Sequence, residues 1–289
     1  MESAATIKLP GGLWLDGVRH QEAGLRSLNG DDEVFLLETD GSLLPAQWTT
    51  ALLARCLTRL GSLSPVTTET AASLTTGDRE ALLLHLRRLT LGERLQCVLI
   101  CPEPDCGEKM DLDLRVSDLL LSPYPHAQEW YETTIAENGS NYSVRFRLPT
   151  GANQEAAAAL ARSDPQAAAD LLLRRCVERV TTEDDQPVKK PPPVVIDRLP
   201  SIMAELDPQA ELMLDATCPV CGHAFSTLFD TATYLFQELD SRARHLYREV
   251  HLLAFYYHWS ETEIMSMTAR KRRLYLDLLT EALTQEGRL

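Results

Sequence analysis

The chain has no stretch of roughly 18 consecutive apolar residues, the length a helix needs to cross a bilayer, so no membrane span is expected. It also lacks positive charge: 28 Lys and Arg stand against 42 Asp and Glu, a net charge of −14 over 289 residues. Binding to nucleic-acid phosphates or anionic lipid needs clustered Lys and Arg, so both are disfavoured as partners. Residues 1–6 hold neither a basic nor an apolar segment, so no secretory signal is expected. Catalytic signatures are missing too. There is no phosphate-cradling Gly-rich loop, no G-x-G-x-x-G and no H-E-x-x-H, and none of the seven histidines sits in a Ser/His/Asp or Cys/His context. These absences predict a cytoplasmic protein that is not an enzyme and has no small-molecule substrate.

An apolar content of 44% and a charged content of 24% are those of a globular protein, and the length suits one large domain or two ordinary ones. Residues 1–47 read as β-rich. Gly11-Gly12 and Asp16-Gly17 bracket Leu13-Trp14-Leu15, and the turn dipeptide Asn29-Gly30 precedes the apolar run 33–37. Apolar residues at helical spacing predict helices over 49–60, closed by Gly61, and over 78–89. Later, a strand is expected at 141–148 and helices at 154–162 and, after the Asp164-Pro165 start signal, through to Val180. Residues 181–195, with Lys189-Lys190 and Pro191-Pro192-Pro193, read as an exposed, partly polyproline loop, and 199–206 as a short helix. One long amphipathic stretch is expected over 235–257. A short helix at 264–267 follows the capping-box spacing of Ser260 and Glu263, and a last helix covers 269–283.

Seven cysteines are an awkward count for a secreted disulfide framework. Cys56, Cys97 and Cys176 lie in apolar stretches and read as small buried hydrophobes. The other four form two knuckles, Cys101-x4-Cys106-Gly107 and Cys218-x2-Cys221-Gly222, each with Pro after the first Cys. Pro sets up the turn, and Gly tolerates the positive φ that aims N–H groups at a thiolate. Each knuckle lies between predicted strands: 95–100 and 110–116 for the first, 211–217 and 224–229 for the second. Two such hairpins around one metal form a zinc ribbon, with Cys101, Cys106, Cys218 and Cys221 closing a structural zinc site. The alternatives are two unrelated turns with free thiols, a redox pair at Cys218 and Cys221, or His223 as a substitute ligand. The reading overall is α+β: a β-rich segment with two helices (1–90), the hairpin pair (91–121 plus 209–236), an inserted strand and helices (122–208), and a helical C-terminal region (237–289).

The run Arg270-Lys271-Arg272-Arg273, after a short capped helix, could present a phosphate-binding face, which makes a zinc-ribbon nucleic-acid-binding regulator the rival function. The plainer reading is a solvated helix face, or one that meets an acidic protein, with Leu274, Leu276, Leu278 and Leu279 as its apolar complement. His251 and His258 stand among aromatic residues and read as packing groups.

The order of several segments is distinctive. Residues 82–92 feed the first Cys-Pro…Cys-Gly knuckle. Phe146-Arg-Leu-Pro-Thr150, Leu206-Asp-Pro208 and Cys218-Pro-Val-Cys-Gly222 follow, then 249–254, Tyr257-His-Trp-Ser-Glu261 and Arg272-Arg-Leu-Tyr275. Together they resemble the baseplate hub assembly chaperones of contractile-tailed phages and of related phage-tail-like contractile injection systems. The resemblance spans nearly the whole chain, and the chain departs from it in the longer first knuckle and the Pro-rich loop. It implies a virion-assembly role in the bacterial or phage-infected cytoplasm, with baseplate or hub proteins as partners and no catalysis.

Overall fold

The computed structural model describes residues 4–39, 42–137 and 139–285 and is a mixture of helix and sheet, in line with the α+β expectation. The chain opens with an antiparallel hairpin, β1 (Ala5–Leu15) and β2 (Val18–Leu25), turned at Asp16-Gly17, where both φ values are positive as a two-residue hairpin turn requires. Asn29-Gly30 does not make a second such turn, and the apolar run after it is not a strand. Asn29 caps a helix, α1 (Gly30–Glu38): its side chain accepts the Asp32 N–H, and Asp32 accepts the Asn29 N–H, both at 3.0 Å. This is a capping box built on Asn and Asp.

The helix α2 (Pro45–Cys56) stops four residues short of the expected end. Residues 57–60 instead form β3 (Leu57–Leu60), which pairs with β2. Leu57 and Leu60 are buried in either conformation, so their spacing could not decide; the open edge of β2 does. A short helix, α3 (Thr68–Ala72), leads to α4 (Thr76–Leu91), which Thr75 caps. The first knuckle hairpin is β4 (Arg94–Ile100) and β5 (Lys109–Arg115), followed by α5 (Val116–Leu119).

The insertion holds a three-stranded antiparallel sheet of β6 (Tyr131–Glu137), β7 (Ser140–Phe146) and β8 (Val177–Thr182), with α6 (Gly151–Ala161) and α7 (Pro165–Cys176) between β7 and β8. The helix expected to reach Val180 ends at Cys176, because Val180 pairs with Val144 of β7. Residues 183–187 and 189–190 of the expected loop are exposed, but its end is not a loop. Val188 donates to the Val180 carbonyl, and α8 (Pro193–Leu206) starts on the last proline and buries Val194 and Val195 against the sheet. Pro at the first helical position forfeits only an N–H that has no helical partner, so the proline run ends in a helix start.

The second knuckle hairpin is β9 (Met213–Thr217) and β10 (Ala224–Leu228). The predicted long helix is two, α9 (Thr231–Ala243) and α10 (Leu246–Tyr257). Their apolar stripes serve different cores: Leu235 and Leu239 pack with Trp48 and Leu52, whereas Leu246, Val250 and Leu253 pack with Ile264 and Met265. The chain closes with α11 (Glu261–Met265), which has the expected Ser260–Glu263 capping box, and α12 (Ala269–Gln285). Helix α4 joins the parts: Leu82, Leu83 and Leu86 belong to the N-terminal core, and Leu84 to a small core shared with the bases of both knuckle hairpins.

Candidate metal centre

Strand alternation places the cysteines. Side chains two apart along a strand share a face, so Leu95, Cys97, Leu99 and Cys101 form one row and Leu214, Ala216 and Cys218 another. The rows begin at Leu95 and Leu214, both buried in the core on α4, where they join Val116, Leu119, Leu212 and Phe229. Burial at the base aims both rows so that their far ends, Cys101 and Cys218, are also buried.

The two turns close alike. Cys101 N–H donates to the Glu108 carbonyl and Cys218 N–H to that of His223, each at 2.9 Å. Gly107 donates to Glu103 and Gly222 to Cys218, four residues back in both cases, with φ of +59° and +73°. That left-handed conformation is strained for any residue with a Cβ. The two extra residues of the first knuckle thus lie ahead of its turn and leave the turn itself unchanged.

The four sulfurs meet. Cys101 Sγ lies 3.6 Å from Cys221 Sγ, Cys106 Sγ lies 3.7 Å from Cys218 Sγ, and all four fall within 4.8 Å of one another. Among the described residues the cysteines are free thiols. A tetrahedron with ~2.3 Å metal–sulfur bonds has edges of about 3.8 Å, so the donor set fits a zinc-sized, thiophilic ion. The two central thiols differ in acidity. The backbone N–H groups of Cys221 and then Val220 hold Cys218 down to about 7, whereas burial pushes Cys101 up to about 12. A cation is what would allow all four to ionise side by side, and four protein sulfurs around one ion leave no position for a substrate.

The remaining candidates lie elsewhere. His223 is exposed, 3.5 Å from Glu103 and stacked on Phe225, outside the sulfur cluster. Cys56 and Cys176 are buried in the N-terminal and inserted cores, and Cys97 is half-buried on β4. His251 stacks on Phe255, and His258 ends α10 with a φ of +57°. The basic run is not one solvated face. Arg272 is buried and bonds Glu33 at 2.6 Å, Glu249 at 2.9 Å and the Met267 carbonyl at 2.9 Å, while Arg270, Lys271 and Arg273 are exposed.

Sequence reasoning missed a buried polar junction. Asp78, readable only as a helix cap, accepts the Gly11 N–H at 2.7 Å, and Asp207 accepts the Gly77 N–H at 2.9 Å and the Tyr124 hydroxyl at 2.8 Å. It ties β1, the start of α4 and the end of α8 together. The sole local hint was Asp207-Pro208, which reads as a helix breaker.

A family model described as T4 bacteriophage base plate protein matches residues 28–236. No curated protein and no solved structure matches the chain. The matched span runs from just before α1 into α9 and contains both knuckles; β1, β2 and α10–α12 lie outside it. With well over half of its length matched, the chain belongs to the T4 bacteriophage base plate protein family.

Proposed function

We propose that this chain is a non-enzymatic assembly factor or structural component of the baseplate of a contractile phage tail or related injection system, and within that role a hub assembly chaperone. The observation that carries the reading is the family match across both knuckles. Zinc, held by Cys101, Cys106, Cys218 and Cys221, would cross-link the two hairpins as a zinc ribbon and supply rigidity. The four-part division of the chain enters as part of this proposal, with other baseplate or hub proteins as partners. Its place is the cytoplasm of the producing cell, whether or not it stays in the finished particle. The nucleic-acid alternative gains nothing from the geometry, since Arg272 is committed to Glu33 and Glu249 inside the fold.

The test has two arms. Metal analysis of the purified chain should give one zinc per chain, lost in Cys101→Ser. Deleting the gene should leave particles without baseplates, restored by the intact gene. Normal baseplates in the deletion would sink the assembly role, and a metal-free native chain would sink the zinc.

A further inference from the structure

Helix α10 is apolar on two sides, and the fold uses one. Leu246, Val250 and Leu253 are buried against α11 and α12. On the opposite side Tyr247, His251 and Phe255 recur every four residues. Tyr247 is 52% exposed and Phe255 64%, with His251 stacked on Phe255 and Tyr256 set edge-on to it. Four residues advance a helix by only ~40° beyond a full turn, so the three form one continuous stripe about 12 Å long. Apolar rings grouped on a surface mark an interaction site far better than single exposed residues do.

This face carries one charge. Arg248 stands beside the stripe, exposed and with no ion pair among the described residues. Glu249 is the sole carboxylate of α10, and it turns inward to Arg272. The outer face of α10 is therefore aromatic with Arg248 beside it and presents no acid, on a chain whose net charge is −14. Aromatic rings beside Arg are the composition of binding hot spots.

We propose that this face of α10 docks a helix of another baseplate protein, with carboxylates flanking its apolar residues. This names the kind of partner for the assembly role and rests on that role. A second copy of the chain fits worse: two copies meeting here would bring Arg248 toward Arg248 with no carboxylate on either face to pair with it. Nucleic acid is disfavoured by the net charge of −14. Helix α10 lies outside the residues that the family model matches.

The experiment measures binding of the purified full-length chain to each purified baseplate subunit of the same particle. The variants are Tyr247→Ser with Phe255→Ser, Arg248→Glu, and Val98→Ser as a control on the first hairpin. Tyr247, Arg248 and Phe255 are exposed, so their variants should melt as the native chain does. The expected result is a subunit whose binding weakens by about tenfold or more in both α10 variants, weakens with salt, and is unchanged in Val98→Ser. A subunit bound equally well by the α10 variants overturns the docking face and leaves the assembly role standing. Binding to no subunit overturns both. Self-association of the chain that Phe255→Ser abolishes would replace the partner helix by a second copy.

Discussion

Asp78 shows how far a residue's work can lie from its local reading. Its carboxylate is fully buried beside Gly11, 67 positions earlier in the chain, with no ion pair among the described residues, and burial pushes it up to about 7 from an ordinary 3.8. The sign follows directly. A carboxyl that holds its proton more tightly when folded contributes stability that is fully present below the unfolded value, near pH 4, and is lost as pH rises through 7. Asp78→Asn keeps the acceptor for Gly11 and removes the charge. Thermal melts should show it more stable than the native chain at pH 8, by up to roughly 4 kcal/mol, with the gain shrinking as pH falls toward 4. A gain that does not change with pH would refute the account. Arg272 is the same lesson with the opposite charge: its partner Glu33 lies 239 positions away, and nothing beside it in the sequence marks it as different from Arg270 or Arg273. The cysteines were legible because thiols in knuckles declare their chemistry locally; the buried charges were not.

At the scale of elements, local chemistry foretold what local chemistry decides. The Ser260 capping box, the Asp164-Pro165 start and both knuckle hairpins stand where the sequence put them. The misreadings share a cause. At 57–60 and 177–180 an apolar spacing that continues the preceding helix serves equally well as a short strand, and a neighbouring strand edge settles it. At 244–245 two stripes in phase with each other pack into different cores. Arg272 is the buried residue of helix α12, which also packs Tyr275 on Tyr257 and Trp259, and Arg272→Leu would leave Glu33 buried and Glu249 half-buried without their partner. Such a loss costs on the order of 3–5 kcal/mol. Hydrogen exchange should rise across α12, and Glu33→Gln with Glu249→Gln in the same background should restore much of the stability. If Arg272→Leu leaves the exchange of α12 unaltered, the ion triad is not its anchor.

Across the whole molecule the sulfur cluster joins residues 112 and 120 positions apart, and everything from β6 to α8 is strung between them. A cross-link closing so long a loop removes much chain entropy. On the proposed zinc-bound state, a strong chelator should therefore raise amide exchange in β4–β5 and β9–β10, which share just a small core, and leave the separately cored sheet β6–β8 protected. Equal loosening of both would argue against a clamp confined to the hairpins. The same separation also sets a clock. Ribosomes add about 5–20 residues each second, so Cys101 and Cys106 wait on the order of ten seconds for Cys218 and Cys221 to be made. The inserted sheet can form during that pause, but the clamp cannot. The order of synthesis thus makes the meeting of the four sulfurs one of the last steps in folding, only a few seconds before the helices α10–α12 emerge.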